Sequence, residues 1–173
     1  MATVNIIVTV DGASLATSGL GKGTTSTSPY NLGSYSTSDV YISMVAPNGS
    51  VVNNQGLSEL TIDANSGDSV EWAITTFDNN FDQTPYLYSG SFNPSAAITA
   101  LSFASSQAYA YLGTGNPPST SNPTKFINQV NTASGTIQQV NVQIQYTLSF
   151  VLVNNANGSI IGYFTWDPFI KVN

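Results

Sequence analysis

The sequence predicts an all-β chain: an antiparallel two-sheet β-sandwich of about 8–10 strands, jelly-roll or immunoglobulin/cupredoxin-like, forming a single domain over residues 1–173. Three observations predict it. Apolar residues recur at every second position in one segment after another, the pattern of strands with one face on a core. The segments are short and bounded by Gly, Pro, Asn and Ser, which supply turn conformations. No run of about 18 apolar residues occurs, so no membrane-spanning helix is expected.

The elements follow in order. Thr3–Val10 carries Val4, Ile6, Val8 and Val10 in phase. Asp39–Val45 sets Val40, Ile42 and Met44 on one face. Glu59–Asp63 and Ser69–Thr76 are joined by Ala64–Asp68, where Gly67 can take positive φ. Pro85–Phe92 and Ser106–Leu112 are further strands. Ala96–Ser105 is Ala-rich, with Ile98 and Leu101 three apart, and is expected as a short helix. Val142, Ile144, Tyr146, Leu148, Phe150 and Leu152 alternate with polar residues until Val151 breaks the polar face. Val140 is in phase with this strand and Ile137 is not, so a bulge or turn is expected at Gln138–Gln139. Asn154–Gly158 reads as a hairpin turn into Ser159–Thr165. Pro168 opens the last strand, Phe169–Val172, where a missing N–H is tolerated. Ser14–Ser38 and Gly113–Thr124 read as long loops.

Charge is scarce. Asp, Glu, Lys and Arg make up 7% of the 173 residues, against about 25% in a typical domain. The net charge of −6 comes from nine acids and three lysines. Phosphate neutralisation needs clustered Lys and Arg, so nucleic acid is excluded as a partner, and an anionic membrane surface is disfavoured. Ser, Thr, Asn and Gln, about two-fifths of the chain, must form most of the surface. Such a surface repels copies of itself weakly and hydrogen-bonds to sugars, water or another copy. The first twelve residues read as a strand, not a leader, so the expected location is the cytoplasm.

There is no Cys and no His, which removes disulfides, thiolate nucleophiles and the commonest general base and metal ligand. Gly67-Asp68-Ser69-Val70-Glu71-Trp72 matches a turn-and-strand motif of β-sandwiches that include copper proteins, but copper needs His or Cys, so the motif reads as structural. Asp78, Asn80 and Asp82 alternate as the opening of a calcium loop does. Gln83 stands where an EF-hand needs Gly, and no Glu follows at the twelfth position. Calcium is the one cofactor candidate, beside the reading of these residues as a polar loop. Asp63, Asp68 and Glu71 surround a turn, and Asp68 and Glu71, an odd number apart, fall on opposite strand faces. No pair is placed for glycosidic cleavage. The many serines have no visible base. The chain is therefore expected not to be an enzyme. Among the aromatics, Trp72 and Trp166 read as core fillers. Tyr30, Tyr35, Tyr86 and Tyr88 are candidate ligand-binding rings, which with Asn and Asp amides and carboxylates would hold a glycan.

Three blocks carry a family resemblance. They are Val4 to Asp11; Gln55-Gly56 and Glu59-Leu60 followed by Gly67-Asp68-Ser69-Val70-Glu71-Trp72 and Asn80-Phe81-Asp82; and Gly162-Tyr163-Phe164-Thr165-Trp166-Asp167-Pro168-Phe169-Ile170. Together the sequence resembles the bacterial PixA/AidA inclusion body protein family, some members of which are named nematocidal protein. Gly67, Asp68, Trp72, Trp166, Asp167 and Pro168 are its signature positions here, read as structural. The resemblance implies a self-associating, non-enzymatic protein, deposited as cytoplasmic inclusions, with release from the cell left open. It further implies a role between the bacterium and a nematode or insect host. This chain departs from methionine-rich members in having two Met, and its Ser/Thr/Gly-rich stretch Thr17–Thr37 has no counterpart in the pattern. A carbohydrate-binding, lectin-like module using the loop tyrosines is the other reading.

Overall fold

A computed structural model describes residues 1–172. It contains twelve β-segments and a short helix: β1 (Thr3–Val10), α1 (Gly12–Thr17), β2 (Tyr30–Asn31), β3 (Ile42–Val45), β4 (Val51–Asn53), β5 (Thr61–Ala64), β6 (Ser69–Thr76), β7 (Gln83–Asn93), β8 (Ser102–Leu112), β9 (Thr124–Thr136), β10 (Val142–Asn154), β11 (Ile160–Trp166) and β12 (Phe169–Val172). Five strands form one sheet in the order β3-β1-β6-β9-β8. The other seven form a second sheet around β10, which pairs with β7, β11 and β12; β2 extends it beside β11, and β5 and β4 extend it beside β12.

The all-β class is as expected, but the sheets are mixed, not antiparallel. β1 pairs parallel with β6, β2 with β11, and β5 with β12. Alternation reports which face is buried and is blind to the direction of the neighbouring strand. The strand count exceeds the expected range because β2 and β4 are too short to show a period and β9 shows none. Neither sheet closes into a barrel.

Both sheets contribute to one core. Val4, Ile6, Val8 and Val10 of β1 and Val70, Trp72 and Ile74 of β6 are buried together with Ile144, Tyr146, Leu148, Phe150 and Leu152 of β10. Two side-chain contacts join the sheets within the core. Trp72 Nε1 donates to the Tyr146 hydroxyl at 3.0 Å, with ring centroids 5.2 Å apart. Trp166 Nε1 on β11 points at Met44 Sδ on β3 at 3.3 Å. Val151, the residue that breaks the polar face, is buried on the opposite side of β10 between Tyr86 and Tyr163 in register.

Four local expectations are corrected. Ala96–Ser105 is not helical: residues 94–98 turn, Ile98 bridges to Ile137, and Ser102 starts β8. The helical spacing of Ile98 and Leu101 arose because both fold onto bare glycines. A Cβ on Gly135 would stand 2.6 Å from Ile98 Cγ2, and one on Gly90 2.6 Å from Leu101 Cδ1. Val40 is exposed and lies in a turn before β3. Val140 is also exposed, because the chain reverses through Asn141, at φ 54°, before β10 begins. The stretch Ser14–Ser38 is not all loop. Asp11 caps α1, accepting from the Ser14 N–H at 2.9 Å and its hydroxyl at 2.8 Å, and β2 lies within the same stretch.

Candidate functional site

The signature positions hold the frame. Gly67, at φ +90°, makes the turn into β6. Asp68 accepts the Ala2 N–H at 2.7 Å and the Asn65 N–H at 3.1 Å, fastening the start of β1 beside β6. Those backbone hydrogen bonds hold its carboxyl below the usual range. Asp167 and Pro168 separate β11 from β12. Asp167 Oδ2 accepts from Gln145 Nε2 at 2.9 Å, and the Pro168 carbonyl accepts the Tyr146 N–H at 2.9 Å. Both tryptophans are buried.

The side-chain oxygens of Asp78 and Asn80 face inward to the loop itself. Asp78 accepts from the Thr76 hydroxyl and from the Phe81 and Asp82 N–H groups at 3.3 and 3.0 Å. These bonds, the Thr76 hydroxyl foremost, lower its pKa. Asn80 Oδ1 accepts the Thr76 N–H at 3.0 Å. Asn79 and Asn80 both take left-handed φ, 57° and 62°, a conformation Asn tolerates better than most residues. No group of three or more Asp, Glu, His or Cys that could hold a metal ion occurs among the described residues.

The four tyrosines do not converge. Tyr30 lies in β2, half-buried against Gly21. Tyr35 is exposed, and its N–H donates to Glu59 Oε1 at 2.8 Å. The Tyr88 hydroxyl donates to the Ser26 carbonyl at 3.0 Å, and its ring meets Tyr163 edge-on. Tyr86 lines a cleft. That cleft, of about 750 Å³, opens where β9 parts from β6, and Asn80 and Tyr86 both line it. The β6–β9 ladder ends at the pair Ala73 and Thr132. Asn131 bridges the gap, its Oδ1 accepting the Leu87 N–H from β7 at 2.8 Å.

Beyond that fork, β8 and β9 run on as a two-stranded arm, paired from Ser102↔Ser134 to Leu112↔Thr124. Register puts Tyr109, Tyr111 and Ile127 on the same face as Ala133, which is buried beside Trp72. The arm therefore continues the core-facing side of its sheet into solvent. Tyr109 is 58% exposed, Tyr111 62% and Ile127 56%. Lys125, set 3.8 Å over the Tyr109 ring, is the one charged residue between 102 and 136. The β8 half of the arm is legible in the sequence as the strand Ser106–Leu112, whereas β9 mixes polar and apolar residues on both faces and has no period to detect.

Glu59 was not a sequence candidate as a titrating group. It is 2% exposed, and its Oε2 has no hydrogen-bond partner. Burial raises its pKa, the Tyr35 N–H and hydroxyl oppose this, and the charges of Asp167 and Asp39 add to the rise. A raised carboxyl leaves stability intact below the ordinary Glu range and erodes it as pH climbs through the folded-state value; the lowered Asp68 and Asp78 act in the opposite sense, as pH falls. Glu59→Gln keeps an oxygen for the Tyr35 N–H and removes the buried charge. Urea denaturation at pH 7 is expected to show the variant more stable by about 1 kcal/mol, since the loss of an unpartnered buried charge outweighs the unpartnered amide N–H groups that replace it. The gain should vanish near pH 4; an equal gain at both pH values would show that charge is not its cause.

The comparisons with known proteins bear on the whole fold. The family model for PixA, an inclusion body protein, matches residues 2–172. The chain belongs to the PixA inclusion body protein family. Among solved structures, this PixA-family chain is similar to the inclusion body protein of Burkholderia cenocepacia J2315, with a TM-score of 0.74 and 16% identity, covering 99% of this chain and 96% of that one. At that identity the likeness shows the fold. A cysteine protease inhibitor from Entamoeba histolytica aligns with a TM-score of 0.24 and 9% identity, covering 64% of this chain and 84% of its own, and bears on nothing further. No curated protein matches. No helix of the described residues is long and apolar enough to cross a membrane.

Proposed function

We propose that this PixA-family chain is a non-enzymatic protein that associates with copies of itself and accumulates as inclusions in the bacterial cytoplasm, with a use at the boundary between bacterium and host animal. The host-side part comes from the resemblance to PixA/AidA proteins. The observation that supports self-association is the β8–β9 arm. A two-stranded hairpin is marginal by itself in water, and its unpaired edges are templates for further pairing. Two-fold docking of arm on arm would bury Tyr109, Tyr111 and Ile127 from both copies. Each is little more than half exposed to begin with, so each contributes roughly 1–2 kcal/mol, against about 4–15 kcal/mol lost in association. Those terms nearly cancel, so pairing is weak when dilute and grows at the concentrations of abundant expression. With one charge on the arm, little repulsion opposes it. The cross-sheet contacts of Trp72 and Trp166 support reading the fold as a two-layer sandwich, and the shared core supports reading residues 1–173 as one domain.

Sedimentation velocity over a concentration series tests this. The expected result is growth beyond the monomer with rising concentration, and its loss in a Tyr109→Ser, Tyr111→Ser, Ile127→Ser triple variant that keeps its β-rich circular dichroism. A wild-type chain that stays monomeric throughout, and forms no particles when abundantly expressed, overturns the proposal.

A further inference from the structure

The cleft at the β6–β9 fork has the size and lining of a small-ligand site, and Tyr109, Tyr111 and Ile127 are not among its lining residues, though Asn128 beside Ile127 is. We propose that it binds a neutral oligosaccharide of two or three units. Pockets for small ligands occupy roughly 300–1,000 Å³ and combine an apolar wall with a few placed polar groups; this one, at about 750 Å³, fits. Its apolar wall includes Ile74, Pro85 and Val130, and the Tyr86 ring is 40% exposed at the rim. A sugar ring presents C–H groups on one face and hydroxyls around its edge, so it matches an aromatic ring beside amides.

The polar side is made of amides with unused capacity. Asn128 and Gln129, on opposite faces of β9, flank the cleft. They are exposed, with no side-chain partner within the described residues. Each carries two donor hydrogens and an acceptor oxygen, the mixed set that vicinal hydroxyls require. Asn80 and Asn131 are fixed by their bonds to the Thr76 and Leu87 N–H groups, so the two ends of the cleft are set before a ligand arrives and little ordering cost remains. None of the nine acids or three lysines lines the cleft. A phosphate, a carboxylated sugar or a metal ion would find no opposite charge there. An extended peptide adding to the free edge of β6 is the competing occupant; against it, the fork leaves only Ile74–Thr76 of β6 beyond the ladder, and the Thr76 N–H is already bonded to Asn80.

The test is titration of the ¹⁵N-labelled full chain, kept dilute, with chitotriose, maltotriose and mannotriose. Trigalacturonate serves as the charged control and an uncharged Ser/Thr/Val pentapeptide as the peptide control. At least one neutral trisaccharide is expected to shift the amide signals of residues 79–80, 86 and 128–131. Tyr86→Ala should weaken that binding about tenfold, and Tyr86→Phe, which keeps the stacking face, should leave it within about twofold. Asn128 is exposed, so Asn128→Ala probes the same site without disturbing packing; a loss of about fivefold is expected there. Three results overturn the proposal: no neutral trisaccharide shifts these signals, the shifted signals lie elsewhere, or the pentapeptide binds the cleft in their place. The sedimentation behaviour of Tyr86→Ala should match wild type, so the cleft and the arm stand or fall separately.

Discussion

Trp72→Ala is expected to cost about 5 kcal/mol, the largest loss of any single substitution considered. Trp72 sits fully buried at the centre of the five-stranded sheet, with β1 on one side and β9 on the other. Truncating a buried Trp leaves a cavity, at about 3–5 kcal/mol. It also strips the buried Tyr146 hydroxyl of the Trp72 N–H, at about 1–3 kcal/mol. Burial already pushes the Tyr146 pKa far up, so ionisation offers that hydroxyl no relief. Against total stabilities of about 5–15 kcal/mol, such a loss unfolds a large fraction of molecules. Trp72→Phe keeps most of the volume and loses the N–H, so it should cost about 2 kcal/mol. Urea denaturation followed by Trp166 fluorescence measures both. A loss below about 2 kcal/mol for the alanine variant would mean that the two sheets do not meet at this contact.

Gly23→Ala is expected to cost about 3 kcal/mol, although Gly23 lies in a stretch that looks like an ordinary polar loop. A Cβ there would stand 2.5 Å from the Tyr163 carbonyl oxygen, 2.6 Å from the Tyr30 nitrogen and 2.7 Å from Pro29 Cα. All three are backbone atoms, so no rotamer change makes room. Gly23 bridges Tyr163 of β11, and the Tyr163 N–H donates to the Gly23 carbonyl at 3.1 Å. The substitution should lift residues 18–29 from the second sheet and lower the melting temperature by roughly 6–12 °C. Gly19→Ala is the control, since nothing lies within 4 Å of a Cβ at that position. Equal melting temperatures for the two variants would mean that the stretch is not held at Gly23.

What the sequence revealed depended on whether one strand face met a core. Thr3–Val10, Ser69–Thr76 and Phe169–Val172 were legible to the residue because each buries alternate side chains. β9 was invisible for the opposite reason: most of it has solvent on both faces, so Phe126 and Ile127 stand side by side with no period. Parallel pairing was illegible because alternation does not encode direction. The candidate cleft was legible only in fragments. Tyr86 and Asn80 were singled out separately, for sugar stacking and for calcium. What brings them together is the divergence of β9 from β6, a relation between strands more than fifty residues apart. Glu59 as a buried acid could not be anticipated, because its setting depends on a turn twenty-four residues away that brings the Tyr35 N–H to it.

Because the second sheet is assembled around β10, whose first residue is Val142, its centre leaves the ribosome long after β1 does. At about 5–20 residues per second, β1 waits some 7–26 s after its own synthesis before that spine exists. During this interval Ile6, Val8 and their neighbours have no opposite layer to cover them. The first strands of a nascent chain are thus uncovered through most of the interval that separates them from their opposite layer, and slower translation lengthens that exposure.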